Sequence, residues 1–243
     1  MTLSTVILAT ILLGFMPPLL WLWFWLKEAT HPEPKKEIAI VFSFGMAVVL
    51  FAFIIESLFS NFNTSMRGVF LYSQKAFYLF NVFGFAFIEE IAKTGAAYFT
   101  VLRTKYFNEP IDAMIYVIAA SLGFAALENA LFISQSTTVT LTQTMTISSF
   151  RFANAILIHA STGAIIGAAF AFSFCNRARR AVELMIALIG ATILHAAYNY
   201  FILGSGDAAN ATNQFIATII VVIGAIFALI LFERARRLRI KCL

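Results

Sequence analysis

In the stretch NVFGFAFIEEIAKTGAAYF, residues 81–99, two adjacent carboxylates, Glu89 and Glu90, and a lysine, Lys93, interrupt an apolar run. An ionised side chain in hydrocarbon is costly unless it is paired or neutralised, so three within a turn need a reason. Three later apolar runs carry more of the same kind: FAALEN with Glu128 and Asn129, IHASTGAIIG with His159, and LHAAYN with His195 and Asn199. Carboxylates and imidazoles held together can activate a water, stabilise an oxyanion and protonate a leaving amine, which is what amide hydrolysis requires. Two versions are open. In one, His159, His195 and Glu128 ligate a divalent metal such as zinc, and Glu89 or Glu90 takes the proton of the water. No His-Glu-x-x-His is present, so these ligands come from three separate runs. In the other, no metal takes part: Glu89 deprotonates the water, His159 orients it or shares the proton, and His195 and Asn199 stabilise the oxyanion. Glu89 and Glu90 point about 100° apart on a helix, so they have different jobs, and either can be the base. Lys93, three and four residues on, is a counter-ion for one of them. Asn129 is a supporting residue beside Glu128.

The elements that must position these groups are membrane helices. Hydrophobic residues make up 61% of the 243, charged residues 12%, about half the usual charged share of a soluble domain. Mean hydropathy is +0.87. Apolar runs at 3–26, 38–60, 77–102, 112–135, 150–175, 181–203 and 212–233 predict an all-α, polytopic bundle of about seven transmembrane helices. The runs are continuous rather than alternating, which excludes barrel strands. The first run has no basic leader and is too long for a signal peptide, so it is expected to be a retained span. Pro17 and Pro18 are expected to kink it. Loops are short and no repeat is visible, so residues 1–243 are expected to form one integral-membrane domain with a catalytic core at about 77–203. Two cysteines, Cys175 and Cys242, suggest neither a disulfide framework nor a metal cluster.

Charge placement gives an orientation. Thirteen Lys and Arg residues fall on one side, in the loops at 27–37, 103–111 and 176–180 and in the tail RARRLRIK. Only Arg67, Lys75 and Arg151 fall on the other. The positive-inside rule then predicts a cytoplasmic C-terminus and, with seven spans, an external N-terminus. The basic balance is thereby explained by topology and by contact with the lipid bilayer, not by a nucleic-acid partner. His31 falls in a charged loop and is expected to be solvated. Glu56, near the outer end of the second run, is expected to be interfacial. In this orientation Glu89, Glu128, His159 and His195 all lie roughly 10–18 Å below the outer surface. Four successive helices placing such groups at one level predict a shared, water-accessible site.

The ordered set EEIAK, FAALEN, a histidine-bearing span and HAAYN resembles the PrsW family of intramembrane proteases. That family shows Glu-Glu-x-x-Lys, an aromatic-x-x-x-Glu-Asn motif and two later histidine motifs. It is similar in turn to the CAAX prenyl-protease and bacteriocin-processing superfamily, whose Glu-Glu-x-x-x-Arg differs from the shorter spacing to Lys93 here. The early PPLLWLWFWLKEATHPEP also resembles the family's first span and Pro-Glu-Pro loop. The resemblance implies hydrolysis of a peptide bond in a membrane-anchored protein, such as site-1-type cleavage of an anti-sigma factor, and residence in a plasma membrane, best a bacterial one. The rival reading of the same Glu/His cluster is a proton- or cation-coupled transporter.

Overall fold

The computed structural model describes residues 8, 10–27, 33–70, 73–135, 141–203 and 211–238. Within them the chain is helical, with no strand. The helices are α1 (Met16–Lys27), α2 (Lys35–Phe70), α3 (Gln74–Ala97), α4 (Pro110–Gln135), α5 (Leu141–Phe172), α6 (Arg180–Leu203) and α7 (Ala211–Arg236). A π-helical turn, Thr10–Phe15, leads into α1, and another, Tyr98–Leu102, continues α3. Helices α2, α4, α5, α6 and α7 are long and apolar enough to cross a bilayer. Helix α3 has the length, 24 residues, but carries the three charges of EEIAK. The expected first span lies partly outside the described residues, as do His31 and Cys242. Cys175 is disulfide-bonded, a pairing not expected from the sequence positions of the two cysteines.

Helix α4 is the centre of the bundle. It packs against α2, α5, α1 and α3 and is enclosed for almost its whole length, whereas α2, α6 and α7 turn large apolar side chains outward. Those outward residues, among them Phe51, Ile54, Ile186, Ile193 and Ile223, form the lipid-facing surface that a water-soluble chain would not tolerate. The start of α4 follows from local sequence. Pro110 occupies the first turn, where its missing N–H is no loss. Asp112 accepts hydrogen bonds from the backbone N–H groups of Asn108 and Glu109, at 3.0 and 2.7 Å, and so caps the helix. One turn on, the Tyr116 hydroxyl donates to Glu33 and ties the segment before α2 to α4.

Small residues let the helices approach α4. A Cβ on Gly123 would lie 2.0 Å from the carbonyl oxygen of Phe42, so α2 and α4 touch backbone to backbone there. On the other side Gly163 of α5 sits against Ser121, where a Cβ would come within 2.4 Å of its hydroxyl. That contact brings the next turn of α5, with His159, against Phe124 at a ring separation of 5.7 Å. Gly123→Ala is expected to cost about 1–3 kcal/mol through overpacking, because the obstacle is backbone rather than a side chain that can swing. Thermal unfolding in detergent measures it; an unchanged midpoint would show that the α2–α4 crossing is looser than described.

Two elements differ from expectation. Helix α2 continues to Phe70, ten residues past the predicted end. Its polar extension is held against α3: Asn63 donates to Asn81 at 3.1 Å in a buried pair, and the Phe59 ring fills the space at Gly84. Helix α5 begins nine residues earlier than predicted, at Leu141.

Candidate active site

Helices α3, α4, α5 and α6 each deliver ionisable groups to one buried cluster. Glu89 and Glu90 leave α3 in different directions, as their spacing requires. Glu90 is wholly buried, and its Oε1 accepts from Lys93 Nζ at 2.6 Å and from His195 Nδ1 at 2.7 Å. Lys93 Nζ also lies 3.0 Å from His159 Nδ1. His159 Nε2 faces Glu128 Oε2 at 2.9 Å, but off the line a good hydrogen bond needs, so that carboxylate oxygen keeps no in-line partner. His195 Nε2 faces Glu89 Oε2 at 3.8 Å, too far for a direct bond. The two imidazoles meet edge to face with ring centres 4.9 Å apart.

Which nitrogens carry protons follows from these contacts when Lys93 is an ammonium and Glu90 a carboxylate. An ammonium can only donate, so with Lys93 charged His159 Nδ1 is an acceptor and its proton sits on Nε2, toward Glu128. An ionised Glu90 can only accept, so the His195 proton sits on Nδ1. The histidines therefore hold opposite tautomers. His159 Nδ1 is committed to Lys93 and its Nε2–H points toward Glu128 without an in-line bond, while His195 turns its Nε2 lone pair toward Glu89. Glu89 Oε2 is itself buried without a hydrogen-bond partner.

The common level expected from sequence thus becomes direct contact among Glu89, Glu90, Lys93, Glu128, His159 and His195. Glu128 sits seven residues before the end of α4 and His195 eight before the end of α6, about 10–12 Å from the same face. Glu128, with a side chain one-third exposed (33%), is the member nearest outside access. Asn129 is buried with an unpartnered Nδ2. Asn199 is half-buried one turn beyond His195.

Glu56 was expected at the interface, yet it feels the charges of Glu128 and Lys93, and its Oε1 is buried without a partner. It is a fourth carboxylate beside the cluster. A lone glutamate near the end of an apolar run gives no sign of this; only the rotation of α2 against α4 does.

The donor chemistry fits a divalent cation. Glu89, His159 and His195 each offer a ligand atom within 4.8 Å of the others. The trio contains Glu89 where the sequence suggested Glu128. Two imidazoles and a carboxylate are an accepted catalytic zinc set, and Glu90 behind His195 is the outer carboxylate that orients such a ligand. Carboxylates outnumber the single lysine in the cluster, an excess that a cation would offset. His159 could join only by releasing Lys93 or its Nε2 proton.

The chain is similar to known proteins over the helices that carry the cluster. The family model described as PrsW family intramembrane metalloprotease matches residues 33–230, which include every residue of the cluster. Protease PrsW of Geobacillus kaustophilus (strain HTA426) is 30% identical over 111 residues, 46% of this chain and 45% of the relative. Protease PrsW of Clostridioides difficile (strain 630) is 30% identical over 124 residues, 50% of this chain and 49% of the relative. The chain thus spans about half the length of the curated relatives it matches. No solved structure matches it. With the family model covering most of the sequence and the four-helix Glu/Lys/His cluster inside the match, the chain belongs to the PrsW family of intramembrane metalloproteases.

Proposed function

We propose that this protein is an intramembrane endopeptidase that hydrolyses a peptide bond of a membrane-anchored protein. Its catalytic core is residues 77–203 of a single integral-membrane domain, in a bacterial plasma membrane with the C-terminus cytoplasmic. The observation that carries this reading is that Glu89 Oε2, buried without a hydrogen-bond partner, faces His195 Nε2. At 3.8 Å apart, both can reach one water placed to the side of the line between them, at about 2.8 Å from each. Glu89 takes a proton from that water as its oxygen attacks the scissile carbonyl carbon. His159 Nε2–H and the unpartnered Asn129 Nδ2 are the donors available to the developing oxyanion, with Asn199 one turn from His195 as a further candidate. The proton then passes to the departing amine as the C–N bond breaks, leaving a carboxylate and an amine. In this reading His195 is the acceptor beside the water and His159 the donor to the oxyanion. Glu90 and Lys93 hold both rings in place. A divalent cation on Glu89, His159 and His195 would supply Lewis-acid polarisation of the carbonyl, with Glu89 then a ligand instead of the base.

The site's burial between helices supports a membrane-anchored substrate, here taken as a single-span protein, with an anti-sigma factor one example. The test is reconstitution of the purified chain in proteoliposomes with a single-span substrate, reading cleavage by mass spectrometry and proton or cation flux in the same vesicles. Cleavage without flux is expected. Flux with intact substrate would assign the cluster to transport instead.

A further inference from the structure

Below the cluster, toward the arginine-rich face, a cavity of about 710 Å³ opens between α3, α5 and α6. Its walls are apolar and run along the helix axes: Ile91 and Gly95 on α3, Tyr98 at the start of the π-helical turn that follows, Ile166 on α5, Leu184 and Leu188 on α6. A Cβ on Gly95 would find nothing nearer than the Phe99 ring at 4.0 Å, so this glycine faces open space. At the mouth stand Arg177 and Arg180, close enough to repel each other. The one carboxylate of that turn, Glu183, is taken by Arg179 at 3.7 Å. Arg180 is held in place by Ser173 Oγ at 3.3 Å and by the Phe107 and Phe170 rings, each 5.9 Å away. Among the described residues no carboxylate neutralises this pair.

We infer that this groove binds an anionic phospholipid, its phosphate between Arg177 and Arg180 and an acyl chain along Gly95, Ile166 and Leu188. Two like charges at the end of an apolar slot, Arg180 held in place and Arg177 exposed beside it, complement one amphipathic anion. Basic sites between membrane helices commonly receive acidic headgroups. A membrane-spanning peptide is a poorer match, because its flank on this basic side carries lysine and arginine under the rule used for orientation. The lipid packs against α3 and α6, the two helices joined by Glu90 and His195, and so steadies the site from below without touching it.

The experiment is native mass spectrometry of the purified full chain, titrated with phosphatidylglycerol, with phosphatidylcholine and with inorganic phosphate. One phosphatidylglycerol per chain is expected to be retained about tenfold more tightly than phosphatidylcholine, with no competition from phosphate at millimolar concentration. The double variant Arg177→Gln, Arg180→Gln is expected to lose the preference. Gly95→Leu, which fills the slot without a clash, is expected to weaken both lipids, and its unchanged unfolding midpoint excludes misfolding. Equal retention of the two lipids, a preference that survives the double variant, or displacement by phosphate alone would overturn the inference. So would a groove that a single-span peptide fills and no lipid does.

Discussion

Glu89→Gln is expected to reduce cleavage of a single-span substrate by about 10²–10⁴-fold while leaving the unfolding midpoint within a degree or two of wild type. The reason is that Glu89 Oε2 has no hydrogen-bond partner to lose. The amide would keep the volume of the carboxylate and forfeit either the base or the anionic ligand. Glu90→Gln should behave differently, because Oε1 of Glu90 accepts from both Lys93 and His195. Its loss should lower cleavage and stability together. Purified variants compared by initial rate and by thermal unfolding separate the two. If Glu89→Gln retains full activity and Glu90→Gln loses activity alone, the assignment of the two glutamates is reversed.

Lys93→Met should be the most destabilising single change in the cluster, by about 3–5 kcal/mol. Lys93 and Glu90 are both fully buried, so removing the lysine strands a carboxylate with only His195 to answer it. It also frees Nδ1 of His159 and the tautomer that Lys93 fixes. Adding Glu90→Gln to Lys93→Met should recover part of the loss, because the stranded charge is gone. A double-mutant cycle on unfolding reads this coupling directly. Additive losses would mean that Lys93 is not the partner that matters to Glu90.

Much of this arrangement was legible before any coordinates. Glu90 and Lys93 are one turn apart, and their pairing follows from helical periodicity alone. The residue count from Glu128 and His195 to their helix ends put both at one depth, and the short loops left the helices no choice but to be neighbours. What the sequence did not disclose was helix rotation and close approach. Those depend on Gly123 against Phe42 and Gly163 against Ser121, which set how far α2 and α5 sink toward α4. Glu56 was missed for that reason, since an isolated glutamate carries no mark of the direction it faces. The tautomers were equally hidden. They depend on which ring nitrogen Lys93 and Glu90 reach, which helical spacing does not set. The extra turns of α2 came from a polar segment whose partner, Asn81, is eighteen residues away from Asn63.

The account rests on one buried water, or the cation that takes its place, being reached by side chains from several helices at the level of Glu89 and His195. The most direct measurement is hydrolysis of a single-span substrate in H₂¹⁸O, with the new termini located by mass spectrometry. One ¹⁸O in the new carboxyl group is expected, at a bond in the half of the membrane away from the arginine-rich face, with product from Glu89→Gln and His195→Ala reduced by about 10²-fold or more. A bond cut at the arginine-rich end, or one cut by both variants at the wild-type rate, would contradict it.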